Sequence, residues 1–354
     1  MEQKGIKAAD IARRLNVSKA SVSLALNDKP GISDALRQRI LACKKQMEEE
    51  PDHGTSQTSS LKDQKSDTPL QPDLQSQIAF LTYLSNQGIL RQEEASISAH
   101  PMQVIERQCR ENGYGMSCLF AYENTLQETI ISILANPNNR ALVVMGTDLD
   151  VSQMPLFQNL PIPLLMIDQD PGDQGNCSLL DNYDVGKLSV KKLKEIGCQN
   201  IWYAANERNL YNFKERRAGF CHEIEKYIPS QGEEKIFKVG RDIQQMKDGF
   251  RSWLGSHSDY DGFICENNQV GIAISQVLAE EGIKPGQDVS LICIDEIEPY
   301  LSGNIKLACW KLDHEDRFML AVDLLCKEIE KPMSHKLKLV SRSRFLPGQS
   351  LKKN

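Results

Sequence analysis

Five side chains near the start of the chain are of types that contact nucleic acid. Lys19, Ala20, Ser21, Ser23 and Leu24 all fall within the short segment KASVSL. A lysine can contact guanine or phosphate, a serine can bond base edges or phosphate, and alanine and leucine can contact a thymine methyl group. On a helix that begins at this segment, they lie at its start or on its outer face. A plain helical hairpin with a solvated outer face is the alternative interpretation.

The helices that would position these side chains follow from the spacing of apolar residues. Ile11, Ala12 and Leu15 share one face of a first helix, and Asn16 suits the residue that ends it. Ser18 is a good N-cap for a second helix. The inner face of that helix would be formed by Val22, Ala25 and Leu26. This layout predicts a helix-turn-helix, whose second helix enters the DNA major groove.

A second group of polar residues follows apolar strands much later in the chain. Asp168 follows PLLMI, Asn267 follows GFICE, and Asp295 follows VSLICI. Ligands of open α/β sheets bind outside the carboxyl ends of the strands, so these three side chains could converge on one cleft. The alternative is that strand-end Asp and Asn residues only cap turns and the helices that follow them.

Short apolar strands alternate with amphipathic helices from Gln77 onward, as in QIAFLTYL and GKLSVKKLKEIGC. Such alternation predicts parallel sheets with right-handed crossovers. More than ten such units exceed one compact sheet, so we expect two doubly wound α/β lobes. The predicted organisation is a small all-α headpiece over residues 1–50, a linker over 51–75 and a two-lobed domain over 76–354.

The linker prediction depends on composition. Residues 51–75 are rich in Ser, Thr, Gln, Asp and Pro and contain few apolar residues. Such a segment cannot bury enough surface to offset the entropy lost on ordering, so we expect it to be flexible.

The bulk composition excludes several classes of protein. Among 354 residues, 40% are hydrophobic and 25% charged, which is ordinary for a globular domain. No run of about 18 apolar residues and no apolar signal-peptide core is present, so we expect a cytoplasmic protein without a membrane partner. The ten cysteines form no C-x-x-C motif and the six histidines do not cluster with them. We therefore expect reduced thiols, no metal site and no cofactor.

The net charge of −6 conceals a difference between the two ends of the chain. Residues 1–47 carry a formal charge of +6 and the remainder carries −12. A basic module attached to an acidic body is typical of a small polyanion-binding domain on a regulatory domain.

The segment DIARRLNVSKASVSLALN, followed by ISDALRQRI, resembles the DNA-binding headpiece of the lac-repressor (LacI/GalR) family. The resemblance implies that Lys19, Ala20 and Leu24 read bases. It also implies that phosphates are held by Ser18, Ser21, Asn27 and Ser33. With Ser23, these residues form the predicted contact surface for double-stranded operator DNA.

The resemblance extends over the larger domain, where SLLDNYDVGKLSVKKLKEIGC and ERRAGFCHEI match family segments. It implies a periplasmic-binding-protein-like sensor domain and a homodimer that reads two half-sites. It also implies that effector hydroxyls are held by Asp168, Arg216, Asn267 and Asp295. An Arg with carboxylates and an amide suits a sugar-like effector, because each hydroxyl both donates and accepts hydrogen bonds.

The chain departs from the family pattern at the start of the linker. Family members have a Tyr and an Asn around a proline, followed by a hinge helix that enters the minor groove. Here Glu49 and Asp52 stand around Pro51, and no helical hinge pattern follows. We therefore expect the headpieces to bind DNA without a minor-groove hinge.

The sequence is compatible with three functions to different degrees. A ligand-responsive DNA-binding transcriptional regulator, expected to be a repressor, accounts for both groups of polar residues. A cytosolic solute-binding protein with weak or lost DNA binding accounts for the two-lobed domain alone. An enzyme is disfavoured because G-x-S-x-G, Walker and H-E-x-x-H motifs are absent from the sequence. Asp295 and Glu296 would also point to opposite sides of an extended chain, so no catalytic residues are predicted.

Overall fold

The computed structural model describes residues 19–27, 29, 37, 40–41, 44, 76–85, 95–312 and 315–352. The contacts divide the chain into two units, residues 1–69 and 70–354. The predicted first helix of the headpiece, the predicted linker over 51–75, Ser18 and Ser33 lie outside the described residues.

The described part of the first unit centres on helix α1, Lys19–Leu26. Val22 and Ala25 are buried, as the apolar spacing predicts, and Leu26 is half-buried. Arg37 donates hydrogen bonds from Nη1 to the backbone oxygens of Leu24 and Ala25 at 3.3 and 3.4 Å. These bonds satisfy carbonyl groups at the helix end that have no partner within the helix.

The second unit alternates strands and helices along the chain. In order, it contains β1 (Gln77–Leu84), α2 (Ala95–Glu111), β2 (Gly115–Tyr122), α3 (Leu126–Ala135), β3 (Asn139–Met145), β4 (Leu164–Ile167), β5 (Asn176–Leu180), α4 (Asn182–Glu195), β6 (Ile201–Asn206), α5 (Tyr211–Ile224), β7 (Ile236–Gly240), α6 (Ile243–Ser256), β8 (Gly262–Cys265), α7 (Asn268–Glu280), β9 (Ser290–Ile294), β10 (Ala308–Lys311), α8 (Glu315–Glu330), β11 (Lys338–Ser341) and β12 (Arg344–Leu346).

These strands form two six-stranded sheets, in the orders β11-β5-β4-β3-β1-β2 and β12-β10-β9-β8-β6-β7. All neighbouring pairs are parallel except β10 and β12. Each sheet has an apolar cluster on both faces, so central strands such as β1 and β9 are buried almost throughout. Strands covered on both faces have continuous apolar sequences. The prediction of two doubly wound lobes is confirmed.

The chain passes between the lobes at three places: after β5, between β10 and α8, and between β11 and β12. The connection after β5 is hydrogen-bonded to the connection between β11 and β12. The backbone N–H of Asp181 donates to the carbonyl of Ser341 at 3.0 Å, and the N–H of Ser343 donates to the Asp181 carboxylate at 3.0 Å. These bonds fix the two connecting segments side by side.

Two glycines allow helices α4 and α5 to cross closely in lobe 2. A Cβ atom on Gly186 would lie 2.1 Å from the backbone oxygen of Arg216. A Cβ atom on Gly219 would lie 1.9 Å from the backbone oxygen of Tyr183. Only glycine permits this approach, which sets the position of Arg216 on α5.

Candidate functional site: the cleft between the lobes

The strand order places a crevice in each lobe. Strand β1 lies between β2 and β3, so the chain first continues to the neighbour on one side of β1 and then crosses to the neighbour on its other side. Strand β6 lies in the same way between β7 and β8. Ligands of open α/β sheets bind at such points, beyond the carboxyl ends of the strands. A pocket of about 470 Å³ between the lobes is lined from both of these points, by residues that include Tyr83, Asp148 and Arg208.

Asp168 directly follows β4 and is buried. Its backbone has a φ of 62°, a left-handed conformation that is uncommon outside glycine. The carboxylate accepts hydrogen bonds from Thr147 Oγ1 at 3.0 Å and from Arg317 Nη1 at 2.8 Å. Arg317 lies on α8 and is itself buried, so this lobe-1 carboxylate is held in a buried ion pair.

Asp295 directly follows β9 and has a φ of 102°, which for a residue with a side chain costs about 1–3 kcal/mol. Its Oδ1 accepts a hydrogen bond from the backbone N–H of Glu296 at 2.9 Å. Burial raises the pKa of the Asp295 carboxyl to about 6, against the opposing effect of the nearby Arg216 cation. Strain and an unfavourable charge at one position are typical of functional sites.

Arg216 is buried on α5 and fixed from two sides. Its Nε donates to Asn182 Oδ1 at 2.8 Å, and its Nη1 donates to the backbone oxygen of Glu266 at 2.6 Å. Asn182 in turn donates to Asn212 Oδ1 at 2.8 Å. The Glu266 carboxylate is also buried and pairs with Arg217. These contacts leave the guanidinium of Arg216 little freedom to turn.

Asn267 is the N-cap of α7, and its Oδ1 accepts a hydrogen bond from the Val270 N–H at 3.0 Å. The capping interpretation of this residue is therefore correct. Its amide nitrogen Nδ2 is buried and has no acceptor among the described residues. A buried donor without a partner costs about 1–3 kcal/mol, so this nitrogen remains available to a ligand.

The structure brings these four residues together from different parts of the chain. Arg216 lowers the pKa of Asp295 and Asp168 raises it, so charges from both lobes act on one carboxyl. Arg216 bonds the backbone of Glu266, the residue before Asn267. The set comprises one cation, two carboxylates and one amide, which together can donate to and accept from hydroxyl groups. None of the four is among the residues that line the 470 Å³ pocket.

Sequence reasoning missed two residues of this region. Asn206 ends β6, is fully buried, and its Nδ2 has no acceptor in the described part of the chain. The strand-end rule applied to IWYAAN would have found it. Arg317 gave no signal, because its role depends on a partner 149 residues earlier in the sequence.

In the headpiece, Lys19, Ala20 and Ser21 lie in the first turn of α1. Ser23 and Asn27 are exposed, and Leu24 is half-buried. Asn27 Nδ2 donates to the Ser23 backbone oxygen at 2.8 Å, at the end of the helix. The exposed side chains of Ser23 and Asn27 leave this face accessible within the described residues.

Neither a metal site nor a membrane-spanning helix is found in the described part of the chain. Among them, no cluster of three or more His, Cys, Asp or Glu side chains could hold a metal ion. No described helix combines the length and apolarity needed to cross a membrane.

Two family models match the chain. Residues 7–51 match the model described as bacterial regulatory proteins, lacI family. Residues 87–299 match the model described as periplasmic binding proteins and sugar binding domain of LacI family. The chain belongs to the LacI family. It is thus a ligand-responsive, DNA-binding transcriptional regulator with a sensor domain.

Two similar curated proteins are repressors. The HTH-type transcriptional repressor PurR of Aliivibrio salmonicida (strain LFI1238) is 23% identical over 203 residues, which cover 56% of this chain and 61% of that protein. The probable HTH-type transcriptional repressor ExuR of Bacillus subtilis (strain 168) is 22% identical over 351 residues, which cover 97% of this chain and 98% of that protein.

Solved structures share the fold over nearly the whole chain. The complex of the transcriptional regulator CelR with cellobiose superposes with a TM-score of 0.66 at 15% identity, covering 98% of this chain and 99% of that one. The lac repressor dimer bound to operator and the anti-inducer ONPF gives a TM-score of 0.63 at 16% identity, covering 99% and 100%.

Proposed function

We propose that this LacI-family protein is a repressor that binds operator DNA as a homodimer and is controlled by a small hydroxylated effector in the cleft. One observation carries the assignment of the cleft: Asp295 of lobe 2 lies within electrostatic range of both Arg216 and the lobe-1 residue Asp168. It performs no chemical step in this proposal and works on DNA in the cytoplasm.

Each predicted effector residue has a distinct role in the proposal. Arg216 donates to effector oxygens from a fixed position, because Asn182 and the Glu266 carbonyl hold it. Asp295 accepts hydrogen bonds from effector hydroxyl groups, and Asn267 donates through Nδ2 while its Oδ1 caps α7. Asp168 faces the same cleft from lobe 1, with Arg317 holding its carboxylate.

The headpiece roles rest on position within α1 and on the family resemblance. Lys19, Ala20 and Leu24 read base edges in the major groove, with Ser23 beside them. Phosphates are held by Ser18, Ser21, Asn27 and Ser33. A dimer is required because two half-sites multiply the discrimination of one. We also propose that the acidic linker makes no minor-groove contact, which gives a shallower dependence of affinity on salt.

Control by the effector requires different affinities for two arrangements of the lobes. The cleft residues come from both lobes, so an effector that touches Asp168 and Arg216 together favours the closed arrangement. Closure changes the positions of the first lobes in a dimer and so the spacing of the headpieces. A ligand that bound both arrangements equally would leave DNA affinity unchanged.

Two substitutions test the proposal by separating its parts. Arg216→Ala should abolish thermal stabilisation by a bound metabolite while leaving DNA affinity without ligand unchanged. Lys19→Ala should weaken a footprint on the upstream DNA while leaving thermal stabilisation intact. If either variant stays folded but loses both metabolite binding and DNA binding, the separate roles assigned to Arg216 and Lys19 are contradicted. Ligand binding without any DNA binding would instead identify a solute-binding protein.

A further inference from the structure

Arg216 is a buried cation whose partners are neutral. The oxygens that accept from it belong to the Asn182 amide and the Glu266 backbone, and it forms no ion pair with any described residue. Its Nη2 donates no hydrogen bond in the described part of the chain. A buried charge is unfavourable unless it is paired, so this guanidinium calls for a counter-ion.

Two carboxamide donors stand beside one another at the same end of the sheet. Strands β6 and β8 are in register at Ala204 and Cys265, and Asn206 and Asn267 each follow two residues later. Both side chains are buried, and both Nδ2 atoms have no acceptor among the described residues. Three groups of lobe 2 therefore offer unused N–H bonds: Asn206, Asn267 and Arg216.

Neither Asp168 nor Asp295 forms a direct ion pair with Arg216. Asp168 is already paired with Arg317 at 2.8 Å. Asp295 interacts with Arg216 through space but is not bonded to it, and its own backbone neighbour Glu296 donates to it. The lobe-2 side of the cleft thus has an excess of donors and a cation without a direct partner.

We propose that the effector is a sugar acid, whose carboxylate binds Arg216, Asn206 and Asn267 while its hydroxyls face Asp295 and lobe 1. This inference rests on the proposed function, since it concerns the same cleft. A carboxylate accepts several hydrogen bonds and provides the counter-ion, whereas a neutral sugar leaves Arg216 without one.

The charge of the effector determines whether its affinity for the protein rises or falls with pH. Asp295 is faced by Arg216 from α5, by Asp168 from lobe 1 and by Glu296 from its own loop. Burial already raises its pKa to about 6, and a bound carboxylate nearby would raise that pKa further. Binding of a sugar acid then takes up a proton, so affinity rises as the pH falls. A neutral sugar that donates to ionised Asp295 shows the opposite trend.

Calorimetry on the full-length protein tests this inference with paired probes: glucuronate and galacturonate against glucose and galactose. We expect at least one acid to bind more tightly than its neutral parent, with affinity higher by about threefold to tenfold at about pH 5.5 than at about pH 7.5. Tighter binding of a neutral parent, or no binding of either acid at ~10 mM, overturns it.

A conservative variant provides the second readout. Asn267→Asp keeps the oxygen that caps α7 but replaces the Nδ2 donor with a second acceptor. We expect this change to weaken the acid by about tenfold or more and the neutral parent far less. Arg251→Gln, on the exposed face of α6, is the matched control for Arg216→Gln. If a neutral sugar binds and Arg216→Gln abolishes it, the proposed function stands and only the sugar-acid assignment falls.

Discussion

Arg208 Nη1 lies 2.8 Å from Asp148 Oδ1, and this ion pair joins lobe 2 to lobe 1. Both side chains are almost fully buried, and Arg208 Nη2 also donates to the Asp148 backbone oxygen at 3.2 Å. An antiparallel bridge between Asp150 and Leu210 lies beside it. The connection from β6 to α5 is therefore bonded directly to lobe 1 at this point.

Arg208→Ala should open the cleft in the ligand-free protein. Removing one partner of a buried pair is strongly unfavourable, but opening the lobes lets water reach Asp148. The radius of gyration from solution scattering should increase, and effector affinity should fall because the closed form is less populated. Arg251→Ala, at an exposed ion pair, is the control. Identical scattering curves for Arg208→Ala and wild type would show that this pair does not hold the lobes together.

Asp295→Asn should stabilise the ligand-free protein at about pH 7.5 while abolishing effector binding. The folded-state pKa of Asp295 is raised from 3.8 to about 6, so its contribution to stability is complete below the lower value and is lost as pH rises through about 6. At about pH 7.5 the ionised group destabilises the fold by roughly 1–3 kcal/mol.

Thermal unfolding at several pH values measures this effect. The gain in melting temperature for Asp295→Asn should shrink between about pH 7.5 and about pH 4, where wild-type Asp295 becomes protonated. Asp173→Asn, an exposed aspartate of the same domain, should show no such pH-dependent gain. A lower melting temperature for Asp295→Asn at every pH would refute the account of this carboxyl.

Arg317→Leu should destabilise the protein by about 3–5 kcal/mol, because it leaves the Asp168 carboxylate buried without its ion-pair partner. The double variant Arg317→Leu with Asp168→Asn should recover part of that loss, since the uncompensated charge is gone. Urea unfolding of the four proteins in a double-mutant cycle gives the coupling energy. Strictly additive effects would mean that the two side chains stabilise the fold independently.

Gly219→Ala should destabilise the domain and displace Arg216. Its Cβ would lie 1.9 Å from the backbone oxygen of Tyr183, so α4 and α5 must move apart. We expect a loss of about 1–3 kcal/mol in urea unfolding, together with weaker effector binding. Gly255→Ala in α6 has nothing within 4 Å of the new Cβ and should stabilise by up to about 1 kcal/mol. An equal free energy of unfolding for Gly219→Ala and Gly255→Ala would show that α4 and α5 do not pack closely at Gly219.

Much of the sensor fold could be predicted from the sequence because its signals are local. Alternating apolar strands and amphipathic helices predicted two α/β lobes, and the strand-end rule selected Asp168, Asn267 and Asp295. Arg216 came only from the family resemblance, since a helical arginine followed by Arg-Ala-Gly has no distinctive local signal. Its geometric reason appears in the structure, where Gly219 lets α5 approach α4.

The contacts between distant segments could not be predicted. Arg317 meets Asp168 across 149 residues, and Arg208 meets Asp148 across 60. From the sequence, a charged residue in a helix or a loop is expected to be exposed to solvent. Only the packing of the lobes shows that these residues are buried. The same contacts decide which carboxylates of the cleft are already neutralised, and therefore what charge an effector should carry.

A ligand in the cleft is expected to set the affinity of the headpieces for DNA. The most direct test of this expectation is the fluorescence anisotropy of a labelled duplex from the upstream region of the gene, titrated with the full-length protein with and without a metabolite that stabilises it. We predict a shift in DNA affinity with that metabolite for wild type and none for Arg216→Ala. Equal affinity with and without it in wild type, or no binding to the duplex even at low salt, would contradict the account.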